Sequence, residues 1–504
     1  MMSEAIKKIV IVGGGTTGWM AAAKFSQFIA DKKIQVTLIE SPNIGTIGVG
    51  EATIPNIVSF NKSLGIDEVE LIKATQATFK LGINFEDWHE KGSQFFHPFA
   101  DYGLTVDHVE FHHYVNRLKA SGIDANIQDY SFACILAKQG KFAQPNPNPS
   151  SPLGDYSYAY HLDAVLYARF LQKFSVSKGI EHISADVCGA NLNKDSGFIE
   201  SVSLGDGRKI EADLFIDCSG FKGVLIGDAM GIGFDDLSHW LPCDRAVAVQ
   251  TELVGIPTPY TRAIAKDAGW QWSIPLQHRM GNGYIYSSQF IDNQQAEDAL
   301  LSSVAGKTIN NVRQFDFPLG KRKVIWQKNC FALGLAGGFL EPLESTGLSL
   351  IQTALTKLLT FFPDKSFNQH DIAEVNRLHD AELERIVDFL VLHYKLTKRD
   401  DTEFWRYCQN MPIPDSLAHK LEVFKSQGKI VMYEQESFEE ASWLSMYHGF
   451  KVTPQRYDVR VNNVDVDLIA QRLQQMNSSM TSAVSQAMSH QDFITKHCKA
   501  ELDI

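Results

Sequence analysis

Residues 6 to 40 hold the feature that most narrows the folds open to this chain. Ile6 to Val12 (IKKIVIV) is a β-branched run, and GGGTTG follows it at once. The alanine-rich WMAAAKFSQFIA (19–30) is patterned as a helix, and a second β-branched run, IQVTLIE, closes at Glu40. Gly13, Gly15 and Gly18 fit GxGxxG between strand and helix, with Thr16 and Thr17 opening the helix. The first glycine permits a tight turn, the second lets a pyrophosphate approach the backbone, and the third lets helix and strand pack closely. The helix start offers free N–H groups and partial positive charge to phosphates. Glu40 stands 22 residues after Gly18, where a carboxylate accepts from both ribose hydroxyls. The unit predicts an α/β fold of Rossmann type binding an unphosphorylated adenine dinucleotide. On its own it leaves FAD and NAD open.

A chain of 504 residues has room for two or three ordinary domains, or for one elaborate body with insertions. Its net charge of −12, with no cluster of Lys and Arg, excludes a nucleic-acid groove, which must displace phosphate counterions. The opening MMSEAIKKIVIVGGG has no apolar signal core, and no run of about eighteen apolar residues occurs. We therefore expect a cytoplasmic protein without a membrane partner. Seven cysteines without CxxC spacing suit reduced thiols, so neither a disulfide nor a metal site is expected. His112-His113 is read as surface or packed histidines, since adjacent residues diverge and no HExxH is present.

Further along, KIEADLFIDCSG (209–220) and CFALGLAGGFLEPLESTG (330–347) read as strands returning to the first sheet, while RAVAVQTEL (245–253) and GYIYSSQF (283–290) suggest a second, antiparallel sheet. QPNPNPSSPLGDY (144–156) reads as a surface loop. From about residue 348 the pattern is helical, and Met and Leu at helical spacing near the end read as packing residues.

Four stretches carry a resemblance: GVGEATIPN (48–56), FKLGINFEDW (79–88), GWQWSIPL (269–276) and GGFLEPLESTG (337–347). Together, in this order and over nearly the whole chain, they resemble the flavin-dependent tryptophan halogenases. WxWxIP (270–275) is the most specific of them. The resemblance implies a Rossmann-type FAD-binding fold of the glutathione-reductase/flavin-monooxygenase kind, with an added β-sheet and a helical C-terminal substrate module. Residues 1–360 would form the FAD-binding body, with a substrate-side insertion at about 80–155, and 361–504 a helical module packed on it.

The activity so implied uses reduced FAD (FADH2) and O2 to oxidise chloride or bromide to hypohalous acid, which then halogenates an aromatic ring. It places Gly50, Glu51, Ala52, Gly334 and Leu343 at the flavin beside the glycine loop, and Thr346 and Gly347 at the halide. Trp270 and Trp272, alternate residues of a strand and so on one face, would wall substrate from flavin; ordinary core aromatics remain the other reading. Lys80 matches the family lysine that holds the oxidant by a hydrogen bond or is itself halogenated, although its apolar flanks also suit a buried stem with a solvated ammonium. Glu344 matches the carboxylate that takes the ring proton, and it also suits a helix start. His97 and Phe99 match the aromatics that sandwich the substrate.

The tyrosine pair, glutamate and Phe-Trp pair that grip free tryptophan in that family are missing from EEASWLSMYHGFKVTPQRYD (439–458), which points to indole or another electron-rich arene. With one GxGxxG unit and no second nucleotide site, reduced flavin is expected from a separate flavin reductase. A homodimer is compatible with the sequence. The rival readings are a flavin-dependent aromatic monooxygenase, with substrate directly at the flavin, and a non-catalytic flavin-binding protein, whose mark would be loss of Lys80 or Glu344.

Overall fold

The computed structural model describes residues 4–28, 34–45, 50–146, 148 and 156–501. Residues 29–30 of the first helix-patterned run, 48–49 of GVGEATIPN, and 147 and 149–155 of the Pro/Asn/Ser segment lie outside them. The chain forms two compact units, each assembled from three stretches of sequence. One comprises Met1–Ala77, Leu162–Arg245 and Phe315–Leu383, the other Thr78–His161, Ala246–Gln314 and Glu384–Ile504.

The first unit is built on a six-stranded sheet in the order Trp326–Gln327, Cys330–Ala332, Leu214–Asp217, Lys8–Val12, Gln35–Glu40, Glu181–Ser184. The five strands from Cys330–Ala332 to Glu181–Ser184 run parallel; Trp326–Gln327 returns antiparallel at the edge. Ile9 to Val12 are buried as a continuous apolar run, as a parallel strand covered on both faces requires. Lys8–Val12 lies between Gln35–Glu40 and Leu214–Asp217, so the chain leaves it toward one side of the sheet and later returns on the other. In such sheets that switch point opens the ligand crevice, and the glycine loop sits there.

The segment 209–217 differs from the sequence expectation of one strand. Lys209–Glu211 joins a separate three-stranded antiparallel sheet, and only Leu214–Asp217 enters the parallel one. Asp213 separates them because its carboxylate accepts from the backbone N–H groups of Lys7 (2.7 Å) and Lys8 (2.9 Å).

The second unit carries the expected second sheet, seven strands in the order Arg313–Asp316, Arg245–Thr251, Met280–Tyr286, Gly269–Pro275, Thr261–Lys266, Gly82–Glu86, Gln94–Pro98. Gly269–Pro275 is antiparallel to both neighbours, whereas Thr261–Lys266 and Gly82–Glu86 run parallel. The C-terminal part of the chain is helical, including Glu403–Asn410, Asp415–Gln427, Glu440–Gly449, Val466–Ser485 and His490–His497. No helix among the described residues is long and apolar enough to cross a membrane.

Candidate functional site

In the first unit the glycine loop has the geometry its motif requires. Gly13 has φ +115°, and a Cβ there would stand 2.2 Å from the Cys218 carbonyl oxygen. A Cβ on Gly18 would lie 1.8 Å from the Gly13 carbonyl oxygen, so this glycine lets the helix Thr16–Phe25 close on the loop. Gly15, at the helix N-cap, behaves differently: nothing lies within 4 Å of the place its Cβ would take, and no side chain caps the helix. The first-turn N–H groups therefore face room for an anion.

Gly14, which the motif counts as variable, is needed too, because a Cβ there would meet the Glu40 side chain at 2.3 Å. Glu40 thus lies against the loop, with its carboxylate 2.9 Å from His182 Nε2. Thr17 packs under Gly334, whose Cβ would come within 2.5 Å of the Thr17 hydroxyl, while the Thr16 hydroxyl faces the Ala164 carbonyl at 3.4 Å. Gly50, Glu51 and Ala52 form a short strand. Glu51 is half-buried, and loss of water around its carboxyl pushes it up to about 7.

The same unit holds Leu343, Glu344, Thr346 and Gly347. Ser345 takes φ +61° and its N–H bonds the Pro342 carbonyl at 3.0 Å, a tight turn that delivers the chain into the helix Gly347–Thr360. Thr346 is its N-cap residue without a side-chain cap, and Gly347 is exposed before open space. Leu343 and Glu344 are buried. Asn56, the last residue of GVGEATIPN, donates to Ser349 Oγ in the first turn of this helix at 2.5 Å, linking two of the motifs. That link joins residues 293 apart in sequence, with no local signal to announce it.

In the second unit Lys80 ends the three-residue strand Thr78–Lys80, which pairs antiparallel with Ala159–His161. Alternation along the strand separates its neighbours. Phe79 enters an aromatic cluster, stacked on Phe142 with ring centroids 4.1 Å apart. Lys80, fully buried, places its Nζ 5.1 Å from the centroid of the Phe99 ring. That distance suits a cation–π contact. His97, buried on the strand Gln94–Pro98, has its ring 5.9 Å from that of Phe389.

Trp270 and Trp272 share one face of Gly269–Pro275, with ring centroids 6.2 Å apart. Trp270 lies between Ala265 and Ile285, whereas Trp272 has small residues on both sides, Ala263 and Gly283. A Cβ on Gly283 would reach within 2.0 Å of the Trp272 ring, so the position of that indole depends on a glycine which sequence reading passed over. The expected residues thus fall into two sets. The loop, Glu40, the 50–52 strand, Gly334, Leu343, Glu344, Thr346 and Gly347 belong to one unit; Lys80, His97, Phe99, Trp270 and Trp272 belong to the other.

The tryptophan halogenase family profile matches residues 8–466. The tryptophan 7-halogenase RebH of Lentzea aerocolonigenes is 36% identical over 457 residues, covering 84% of this chain and 83% of its own. The 7-chloro-L-tryptophan 6-halogenase KtzR of Kutzneria sp. (strain 744) is 36% identical over 447 residues, covering 83% and 85%. Two solved structures are closely similar along almost the full length. Xcc4156, a flavin-dependent halogenase from Xanthomonas campestris, aligns with a TM-score of 0.95 at 42% identity, covering 99% of each chain. BrvH, a flavin-dependent halogenase from Brevundimonas sp. BAL3, aligns with a TM-score of 0.94 at 43% identity, covering 97% of this chain and 99% of its own.

Proposed function

The chain belongs to the tryptophan halogenase family and is a flavin-dependent halogenase with a Rossmann-type FAD-binding fold, and from that premise we propose that Lys80 and Glu344 direct electrophilic halogenation of an indole or another electron-rich arene. Reduced flavin reaches such an enzyme from a separate reductase.

The group assigned to the glycine loop is FAD in its reduced form, which with O2 supplies the oxidation of chloride or bromide to hypohalous acid. The loop suits it: Gly15 faces open space before an uncapped helix start, so a pyrophosphate meets free N–H groups without displacing a protein side chain. Gly13 and Gly18 shape the loop, Thr16 and Thr17 at the start of the helix are assigned to the cofactor, and Glu40 takes the ribose hydroxyls while sharing its carboxylate with His182. Gly50, Glu51, Ala52, Gly334 and Leu343 are assigned to the flavin. The uncapped N–H groups at Thr346 and Gly347 are assigned to the halide. Trp270 and Trp272 keep the arene from the flavin.

Halogen transfer is then the work of this chain's own side chains. The Lys80 ammonium donates to the oxygen of hypohalous acid; as the ring's π electrons take the halogen and the O–X bond breaks, that oxygen takes the lysine proton and leaves as water. The Glu344 carboxylate accepts the proton from the ring carbon that gained the halogen. The two residues together end with the proton count they began with. His97 and Phe99 hold the ring by stacking. Of the expected helical module, the part from Glu384 to Ile504, which shares its unit with Lys80, is assigned to the substrate side.

The observation that carries this reading is Lys80, a fully buried amine over the Phe99 ring in a family of halogenases. The test is product mass after incubation with a flavin reductase, FAD, NADH and bromide against indoles, phenols and pyrroles, with free L-tryptophan included. A brominated arene, with indole favoured over L-tryptophan in kcat/KM, is the expected result. The preference follows because a pocket without partners for an ammonium and a carboxylate must strip their water without replacing it. A hydroxylated arene formed without halide would instead make the enzyme a monooxygenase.

A further inference from the structure

The strand bearing Lys80 is three residues long, too short for its ladder alone to fix the aim of a side chain. What fixes it is a buried set of side-chain hydrogen bonds at the two residues before the lysine. The Thr78 hydroxyl donates to the Pro275 carbonyl at 2.7 Å. A hydroxyl has one proton, so the 3.0 Å contact between Thr78 Oγ1 and His161 Nδ1 is made by Nδ1–H donating to Thr78. That tautomer leaves His161 Nε2 to accept from the Thr261 hydroxyl at 2.9 Å. Every link points the same way, from Thr261 through His161 and Thr78 to Pro275.

The far end is the last residue of the strand carrying Trp270 and Trp272, and the near end is the first residue of its neighbour, Thr261–Lys266. Beside it the Phe79 N–H donates to His490 Nε2 at 3.1 Å, while His490 Nδ1–H donates to the Pro257 carbonyl at 2.8 Å. Thr78 and His161 are fully buried. Burial, with smaller contributions from the charge of Lys80 and from His490, holds His161 well below its usual range, so the ring next to the lysine stays uncharged.

We propose that Thr78 and His161 are positioning residues for Lys80: their relay locks the lysine strand to the tryptophan strand and aims the amine without placing a second charge beside it. The proposal rests on the reading of Lys80 as the group that holds the oxidant. It assigns a purpose to a buried histidine and threonine that touch no reacting atom.

The holoenzyme variants Thr78→Val, Thr78→Ser and His161→Asn test it, with Lys80→Ala as reference. Three quantities are measured in each: the rate of flavin oxidation, halogenated arene per flavin oxidised, and oxidant released to an excess of a β-diketone scavenger. Thr78→Val keeps shape but removes the hydroxyl, so product per flavin should fall at least tenfold, within the on-the-order-of 10²-fold cost of a misplaced group. The missing halogen should appear in the scavenger, and flavin oxidation should hold its rate. Thr78→Ser restores the hydroxyl, and His161→Asn restores a donor toward Thr78; both should recover coupling. Wild-type coupling in Thr78→Val overturns the proposal, as does a parallel fall in flavin oxidation, which would mean a general structural role. If Lys80→Ala itself stays coupled, the lysine reading fails; if only Lys80→Ala uncouples, the positioning proposal alone fails.

Discussion

His490 gives the fold an acid limit that can be worked out in advance. Its Nε2 accepts from the Phe79 N–H, so protonation would set two donors against each other at the strand that carries Lys80. Burial holds its pKa at about 4, against an ordinary value of 6.5. Between those values the unfolded chain binds a proton that the folded chain refuses. The stabilisation is therefore full above about pH 6.5 and is lost as pH falls toward 4. From pH 7.5 to pH 4.5 the linkage is on the order of 2–3 kcal/mol for this one group.

His490→Gln removes the titration while keeping an amide that can donate and accept. Other buried histidines titrate in the same range, including His112, held at about 4 chiefly by burial. The informative quantity is therefore a difference: urea unfolding of wild type and variant at both pH values. The wild type should lose on the order of 2–3 kcal/mol more than His490→Gln on acidification. Equal losses in the two proteins would show that burial does not hold the ring neutral.

Two substitutions probe the remaining parts of the site. Glu344→Gln keeps the shape of a buried side chain and removes its charge, so ring halogenation should slow by on the order of 10²-fold while halide binding survives; loss of flavin or of the fold would make Glu344 a helix-start residue only. Gly283→Ala drives a methyl to within 2.0 Å of the Trp272 ring, which must move at a cost of about 1–3 kcal/mol, seen as a lower unfolding midpoint and altered tryptophan fluorescence. An unchanged spectrum and midpoint would mean that the indole is not seated against that glycine.

The parts of this molecule legible in its sequence are those whose physics is local. The glycine loop and Glu40 could be read because strand, turn and helix follow one another within 40 residues, and each glycine answers to a backbone constraint of its own. The second sheet was legible from alternation and β-branched runs, and the helical C-terminal third from periodicity. KIEADLFID was misjudged as one strand because nothing local shows that Asp213 is taken by the N–H groups of Lys7 and Lys8, over 200 residues away. Gly14 and Gly283 escaped notice because each makes room for one particular side chain, Glu40 or Trp272, and the contact exists only once strand positions are set. The relay through Thr78, His161 and Thr261 joins residues 83 and 100 apart in sequence, so its members look like ordinary strand residues. Lys80 carried its meaning through family resemblance, since a lysine between Phe79 and Leu81 alone suits a buried stem with a solvated head.

The central claim is that Lys80 acts after the oxidant is made and before the ring is halogenated. Lys80→Met, which keeps an apolar stem of similar length, and Lys80→Ala separate those steps when flavin oxidation, scavenged hypohalous acid and halogenated arene are followed in one reaction. Both variants should oxidise flavin at near the wild-type rate and release to the scavenger the hypohalous acid that no longer reaches the ring, while halogenated arene disappears. Halogenated arene formed by either variant at near the wild-type rate would remove the lysine from the mechanism.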